Sequence, residues 1–207
     1  FKYIGRFGRD GLGAALNFGV TVCAGRYIAR MDSDDISLTD RLETQVKFML
    51  EHPNIDVVGS QMTLIDQHGI VYGLKKYKEG HDAIIRHFTF QNAMGHPSIM
   101  IRKAVFDSGH SYNINFKFCE DLEFWLRLIR EGYQFANIRR QLILYREERA
   151  YRRSNDNWSY NWKARKMHFS PLSFYSCCSL MIALANLVLP NRLRARLYRM
   201  LLNEVDL

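Results

Sequence analysis

Tyr27-Ile28-Ala29-Arg30-Met31-Asp32-Ser33-Asp34-Asp35 is the stretch on which the reading of this chain turns. Tyr27 to Met31 reads as a buried strand, and three carboxylates arrive where it stops. Open α/β sheets place their ligands beyond the carboxyl ends of the strands. Carboxylates crowded there repel one another unless a cation or a proton sits between them. Mg²⁺ is usually held by one or two carboxylates, with substrate phosphates and water completing its shell. The stretch therefore predicts a metal–diphosphate site. A plainer reading stays open: Asp-Ser-Asp-Asp also suits a solvated turn capping the next helix. An EF-hand loop would put Asp32, Asp34, Asp40 and Glu43 at its first, third, ninth and twelfth positions. Ile36 then falls at the fifth and Ser37 replaces the glycine of the sharp turn, so that reading is rejected.

Upstream, a helix from Gly11 places Leu12, Ala15, Leu16, Gly19 and Val20 on one face, and Ala24-Gly25 ends it. Downstream, a helix capped within residues 37–40 turns Leu42, Val46, Met49 and Leu50 inward and stops before Pro53. Residues 55–58 read as a second strand. Residues 61–90 read as a hairpin turning at Gln67-His68-Gly69, then a short helix over His81–Phe88. Residues 96–101 give another strand; its His96 reads as a structural hydrogen-bonder, because no second His or Cys is spaced to join it. Glu120-Asp121 opens a helix that sends Leu122, Trp125, Leu126 and Ile129 inward before Gly132. Strands over 135–138 and 142–145 follow. Strands alternating with helices predict an α/β fold with a mostly parallel central sheet.

The 207 residues, 47% hydrophobic, can bury one proper core. Four cysteines, Cys23, Cys119, Cys177 and Cys178, have neither metal-ligand nor disulfide-framework spacing, which points to a reducing compartment. No secretory signal opens the chain, and it begins at Phe1, as expected of a fragment or a processed product. Residues 1–138 carry 16 Lys/Arg and 16 Asp/Glu, whereas residues 139–207 carry 13 and 5, so the whole excess of +8 lies in the last third. A neutral body with a basic end suggests a docking surface rather than a nucleic-acid binder.

Several ordered blocks resemble a family 2 glycosyltransferase of the GT-A fold, a Rossmann-like architecture. They are Gly11-Leu12-Gly13-Ala14-Ala15-Leu16-Asn17, Asp32-Ser33-Asp34-Asp35, Arg41 with Gln45, His96-Pro97-Ser98, and Glu120-Asp121 followed by Trp125-x-Arg127. The resemblance implies an inverting transferase that uses a nucleotide-diphosphate sugar and Mg²⁺ or Mn²⁺. Asn17, Asp32, Asp34 and Asp35 then fall in the donor site, with Asp34 the more direct metal ligand and Asp32 nearer the ribose and diphosphate. Asp121 resembles the general base, with Glu120 beside it. Trp125 and Arg127 would face a saccharide or lipid-linked acceptor, although Trp125 shares a helical face with core residues and Arg127 could instead pair with an acid. Relatives begin with a strand and an acidic residue for the nucleotide, ahead of the helix that starts here at Gly11. That portion is expected to be missing, which would leave strand 27–31 with unpaired ladder groups. Where relatives often carry a histidine near the metal, this chain reads Glu147-Glu148-Arg149. A truncated, non-catalytic remnant serving as a membrane- or partner-binding module is the alternative.

The expected division is a partial GT-A domain over 1–146 and a basic, apolar helical extension over 147–207. Residues 169–191 carry no charge, but Ser173, Ser176, Ser179 and Asn186 interrupt them and Pro171 and Pro190 stand near the edges. They could span marginally, lie in the interface or pack on the body. Arg192, Arg194, Arg196 and Arg199 follow, interleaved with Leu193, Leu197, Met200 and Leu201 at helical spacing, as in helices that bind anionic membrane surfaces. The expectation is a cytoplasmic protein held peripherally at the inner face of the plasma membrane, with no nucleic-acid partner.

Overall fold

A computed structural model describes residues 11–147 and 155–189. The chain forms α1 (Leu12–Val22), β1 (Tyr27–Ala29), β2 (Ile36–Ser37), α2 (Arg41–Glu51), β3 (Val57–Ile65) and β4 (Val71–Lys75). After these come α3 (His81–Phe88), a 3₁₀ turn (His96–Ser98), β5 (Met100–Arg102), α4 (Lys103–Asp107) and α5 (Glu120–Arg130). The long strand β6 (Phe135–Arg146) and the helices α6 (Asn155–Met167) and α7 (Phe174–Val188) complete it.

One sheet runs β1-β5-β3-β6-β2, with β4 paired to β3 off that path. Among the described residues only β3 and β6 run parallel, from Val57 opposite Phe135 to Ile65 opposite Arg146. The other pairings among the described residues are antiparallel, which corrects the expectation of a mostly parallel sheet. A parallel pair needs a long crossover, and here the segment carrying α3 to α5 supplies it. β3 and β4 instead form the expected hairpin: Asp66 Oδ1 accepts from the backbone N–H of His68 and of Ile70, and Gly69 takes a φ of 84°. Where the sequence suggested two strands after Gly132, β6 continues through, absorbing the irregularity as a register shift opposite Gln61.

The main core lies between the sheet and α5. Leu122, Phe124, Trp125 and Leu128 meet Val57, Ile99, Ile101 and Phe135, and Ala164 of α6 closes the cluster. β1 is half-buried rather than buried: Met31 is exposed and Arg30 turns inward. Two helices present faces other than those predicted. α1 turns Gly13, Leu16 and Asn17 toward the body and leaves Leu12 exposed. α2 buries Arg41, Gln45 and Met49 and exposes Leu42 and Leu50.

The reason in α2 is chemical. Its inward face meets strand-end carbonyls, which need donors that leucine cannot supply. Arg41 donates to the carbonyls of Arg30 (2.7 Å) and Ile99 (3.3 Å), and through Nε to Gln45 Oε1 (2.9 Å). Gln45 in turn donates to Ser98 O at 2.8 Å. Replacing Arg41 by Met leaves the Arg30 carbonyl and Gln45 Oε1 buried without that donor, while the Ile99 carbonyl keeps the Arg30 N–H, so Arg41→Met should lower unfolding free energy by about 2–3 kcal/mol. Leu42→Ala should change it by less than about 0.5 kcal/mol. Urea unfolding decides; similar midpoints for the two variants would contradict this account of the helix.

Candidate active site

The acidic turn is organised by arginines. Arg30, buried at the end of β1, donates through both terminal nitrogens to Asp32, at 2.7 Å to Oδ2 and 2.5 Å to Oδ1. Such a two-pronged pairing is the strong, oriented form of an arginine–carboxylate contact. From the far side, Arg146 at the end of β6 donates its backbone N–H to Asp35 Oδ1 (2.8 Å) and its Nε to the carbonyl of Asp34 (3.0 Å). Asp34 is left exposed at the tip and Asp35 is buried. Asp35 Oδ2 has no hydrogen-bond partner among the described residues. Burial, reinforced by the charges of Asp32 and Asp34, pushes the Asp35 carboxyl up to about 6.

The second acidic segment opens α5. Cys119, just ahead of it, takes the left-handed conformation (φ 56°), which is uncommon outside glycine and stores strain. Its thiol donates to Asn157 Oδ1 of α6 at 2.7 Å, and burial pushes its ionisation up. Asp121 accepts from Asn92 Nδ2 at 2.6 Å and from the N–H of Leu122 at 2.7 Å, which fixes its plane. Glu120 is buried, its Oε1 3.9 Å from Nδ1 of His96. Burial, then the neighbouring Asp121, pushes its carboxyl up to about 7. His96 lies fully inside, its ionisation held well below the usual histidine range by burial, and its Nε2 meets the Tyr112 hydroxyl at 3.0 Å. Glu120 also feels the charges of Arg30 and Asp32. Two carboxylate segments about ninety residues apart in sequence are thus close enough for Arg30 and Asp32 to act electrostatically on Glu120.

The other predicted site residues are placed differently. Asn17 spends its amide on a backbone bridge, donating to Tyr112 O (2.8 Å) and accepting from Tyr112 N–H (2.7 Å), so α1 is fastened to the loop before α5. Trp125 is 0% exposed, so the reading of it as an acceptor-facing ring is corrected: it is core, set edge-on to Phe135 and His96. Arg127 pairs with Glu123 through two bonds of 3.1 Å and donates to Ser111 O at 2.6 Å. It still borders an open hollow of about 440 Å³ with Asn17, Ser111 and Asn113. Sequence reasoning gave no site role to Arg30, Asn92, Arg146 or Tyr112. Arg30 stood inside the decisive stretch, and a cation in a strand beside three carboxylates was a readable signal. Among the described residues no three His, Cys, Asp or Glu side chains cluster closely enough to hold a metal by themselves. Of the segment 147–149, only Glu147 is described; it accepts from the Tyr72 hydroxyl at 2.9 Å.

The family model described as Glycosyl transferase family 2 matches residues 1–109. The chain is 34% identical over 170 residues to the O-antigen biosynthesis glycosyltransferase WbnJ of Escherichia coli, covering 81% of this chain and 60% of that protein. It is 26% identical over 195 residues to an Escherichia coli UDP-Gal:alpha-D-GlcNAc-diphosphoundecaprenol beta-1,3-galactosyltransferase, covering 91% of this chain and 70% of that protein. The chain therefore spans about 60% of the length of WbnJ. Its fold is that of GT-A glycosyltransferases. The mannosyltransferase PcManGT from Pyrobaculum calidifontis, solved with GDP-Man and Mn²⁺, aligns with a TM-score of 0.56 at 15% identity, over 96% of this chain and 61% of that one.

Glu120 gives a pH test. A carboxyl that holds its proton more tightly folded than unfolded loses stability as pH rises from its ordinary 4.5 to about 7. Glu120→Gln should abolish that fall and exceed the parent in stability at pH 8 by on the order of 2 kcal/mol. Unfolding at pH 5 and pH 8 checks this, and an equal loss at both would refute the assignment.

Proposed function

Because the chain belongs to glycosyl transferase family 2, we propose that it moves a sugar from a nucleotide-diphosphate donor to an acceptor hydroxyl, with inversion at the anomeric carbon. The observation that carries this reading is that Arg30 and Asp32 lie close enough to Glu120 to act on it electrostatically. Inversion requires the proton acceptor and the leaving diphosphate on opposite sides of the sugar, and two separate loops can supply those sides.

Asp121 is the general base in this reading. The acceptor hydroxyl becomes acidic only as it attacks, so a carboxylate held in a fixed plane takes its proton in the transition state. Asn92 and the Leu122 N–H supply that fixity. Glu120, pushed up to about 7, is partly protonated at neutral pH, which lessens the negative charge beside Asp121. Arg30 holds Asp32 at the donor side.

A divalent cation fits this turn as an incomplete site. Asp34 is exposed at the tip, Asp35 keeps a buried oxygen without a partner, and Asp32 is shared with Arg30. Asp34, with Asp32, would hold Mg²⁺ or Mn²⁺, the donor's phosphates completing the shell. When bound, the cation neutralises charge on the departing diphosphate. The acceptor is a saccharide or lipid-linked glycan in surface-polysaccharide synthesis, which the names of WbnJ and of the diphosphoundecaprenol-using relative support. The protein works as a peripheral membrane protein; no helix among the described residues is long and apolar enough to cross a membrane.

Asp121→Asn should cut turnover by at least about 100-fold while donor affinity changes little, because the base acts in the transition state. Asp34→Ala should abolish Mn²⁺-dependent donor binding. Calorimetry with UDP- and GDP-sugars, with and without Mn²⁺, reads the second, and a coupled assay the first. Equal loss of donor affinity in Asp121→Asn would overturn the base assignment.

A further inference from the structure

Helix α7 is built inside out. Its buried positions are Ser179, Ala183 and Asn186. Its outward positions include Phe174, Met181 and Val188, at 76%, 66% and 75% exposure, with Leu184 beside them and Leu172 wholly exposed ahead of the helix. Phe174, Met181 and Val188 fall two turns apart, one above another, so they form a stripe rather than scattered residues. A helix resting on a protein in water presents the opposite arrangement. Isolated exposed apolar residues need no explanation; an aligned stripe does.

At the start of the same helix lies a cavity of about 290 Å³, between α3, α5 and the α6–α7 pair. Thr89, Arg130, Arg165, His168, Ser173 and Ser176 line it, and no acidic residue does among the described residues. Two of its polar side chains each carry a buried atom without a hydrogen-bond partner. Thr89, 3% exposed, has an unpartnered Oγ1, and His168, with its side chain 8% exposed, an unpartnered Nδ1. The other ring nitrogen of His168 is committed to Glu123 Oε1 at 2.9 Å. Unpartnered buried polar atoms are costly. Thr89 Oγ1 can donate to a phosphate oxygen, and His168 Nδ1 can do so when the ring carries both protons; the Arg130 guanidinium at the same cavity supplies positive charge, whereas Arg165 is already committed to Asn161, Phe88 O and Ser179.

We propose that this cavity binds the phosphate group of an anionic lipid, while the α7 stripe lies in the acyl region. The protein then rests on the membrane along α7, in the plane of the surface. Tyr175 lines the cavity and its ring meets that of Phe174 on the stripe, so one molecule can reach both features at once. A free phosphate would use the cavity and leave the stripe in water. A second copy of this chain would bring its own basic end, since residues 139–207 carry 13 Lys/Arg against 5 Asp/Glu, whereas an anionic bilayer complements it. Fifteen residues of helix span about 22 Å, short of a bilayer core of about 30 Å, which selects the in-plane orientation. The inference rests on the membrane-attached reading above and not on its donor chemistry.

Flotation of the full chain with phosphatidylglycerol vesicles and with phosphatidylcholine vesicles is the test. The wild type should bind the former preferentially. Met181→Asp combined with Val188→Asp, both surface positions, should reduce binding to phosphatidylglycerol more than about tenfold. Thr89→Val combined with Arg130→Gln should keep residual vesicle binding and lose the preference for the anionic lipid. Unchanged preference in that second variant would overturn the cavity. So would absence of vesicle binding together with thermal stabilisation by inorganic phosphate, the signature of a soluble anion. A concentration-dependent dimer broken by Met181→Asp would assign the stripe to a second copy. Donor binding is titrated in the same samples. A chain that binds vesicles but no sugar nucleotide sinks the transferase reading alone, and one that binds donor but no vesicles sinks this one alone.

Discussion

A guanidinium buried under the sheet holds the candidate site together. Arg41 reaches from the first turn of α2 to the carbonyls of Arg30 and Ile99, and Gln45, one turn on, reaches Ser98 O. Those acceptors belong to the end of β1 and to the segment entering β5. Fixing them fixes what each strand end carries: the Arg30–Asp32 pair on one side, His96 beside Glu120 on the other. Taking a charge out of water is expensive unless its hydrogen bonds are satisfied. Burial accordingly pulls Arg41 down to about 10, with Asp35 opposing the shift, and the group stays charged at neutral pH.

Two outer braces complete the frame. Arg146, the last residue of β6, ties the acidic turn to the sheet and also donates to the carbonyl of Asp66 in the β3–β4 hairpin. On the other acidic segment, the strained Cys119 is tethered to Asn157 of α6, so the direction in which Glu120 and Asp121 leave the chain depends on a helix outside the sheet. Neither carboxylate segment is therefore a free loop.

The sequence revealed the acidic segments, the hairpin turn and the span of α3, because local rules determine these: Asx hydrogen bonding, glycine at positive φ, a 3.6-residue apolar repeat. It misled where the surface facing an element decides the outcome. The leucines of α2 predict one face, yet the surface beneath offers carbonyls, so arginine and glutamine turn inward. Alternation of strands with helices cannot tell β5, entered through a 3₁₀ turn and running antiparallel to β3, from a parallel neighbour. The apolar members of residues 27–31 signal a strand and hide the site role of Arg30 within it. Residues 1–10, 148–154 and 190–207, including the arginine-rich end, lie outside the described residues, and the division at 146 remains an expectation.

Polar residues turn inward in both α2 and α7, but the two cases differ in what they leave outside. On α2 the outward leucines, Leu42 and Leu50, stand more than two turns apart among charged residues, an ordinary solvated face. On α7 the outward residues are continuous and uncharged. Its inward face is joined to the body through Arg165 of α6, which donates both to Ser179 of α7 and to the Phe88 carbonyl of α3. The same α6 carries Asn157, which holds Cys119. A surface that docks on α7 is thus mechanically connected, through one helix, to the residue that orients the proposed base. If an acceptor is presented from a membrane, its height above that membrane relative to Asp121 is set by packing inside the protein, with no linker between the two.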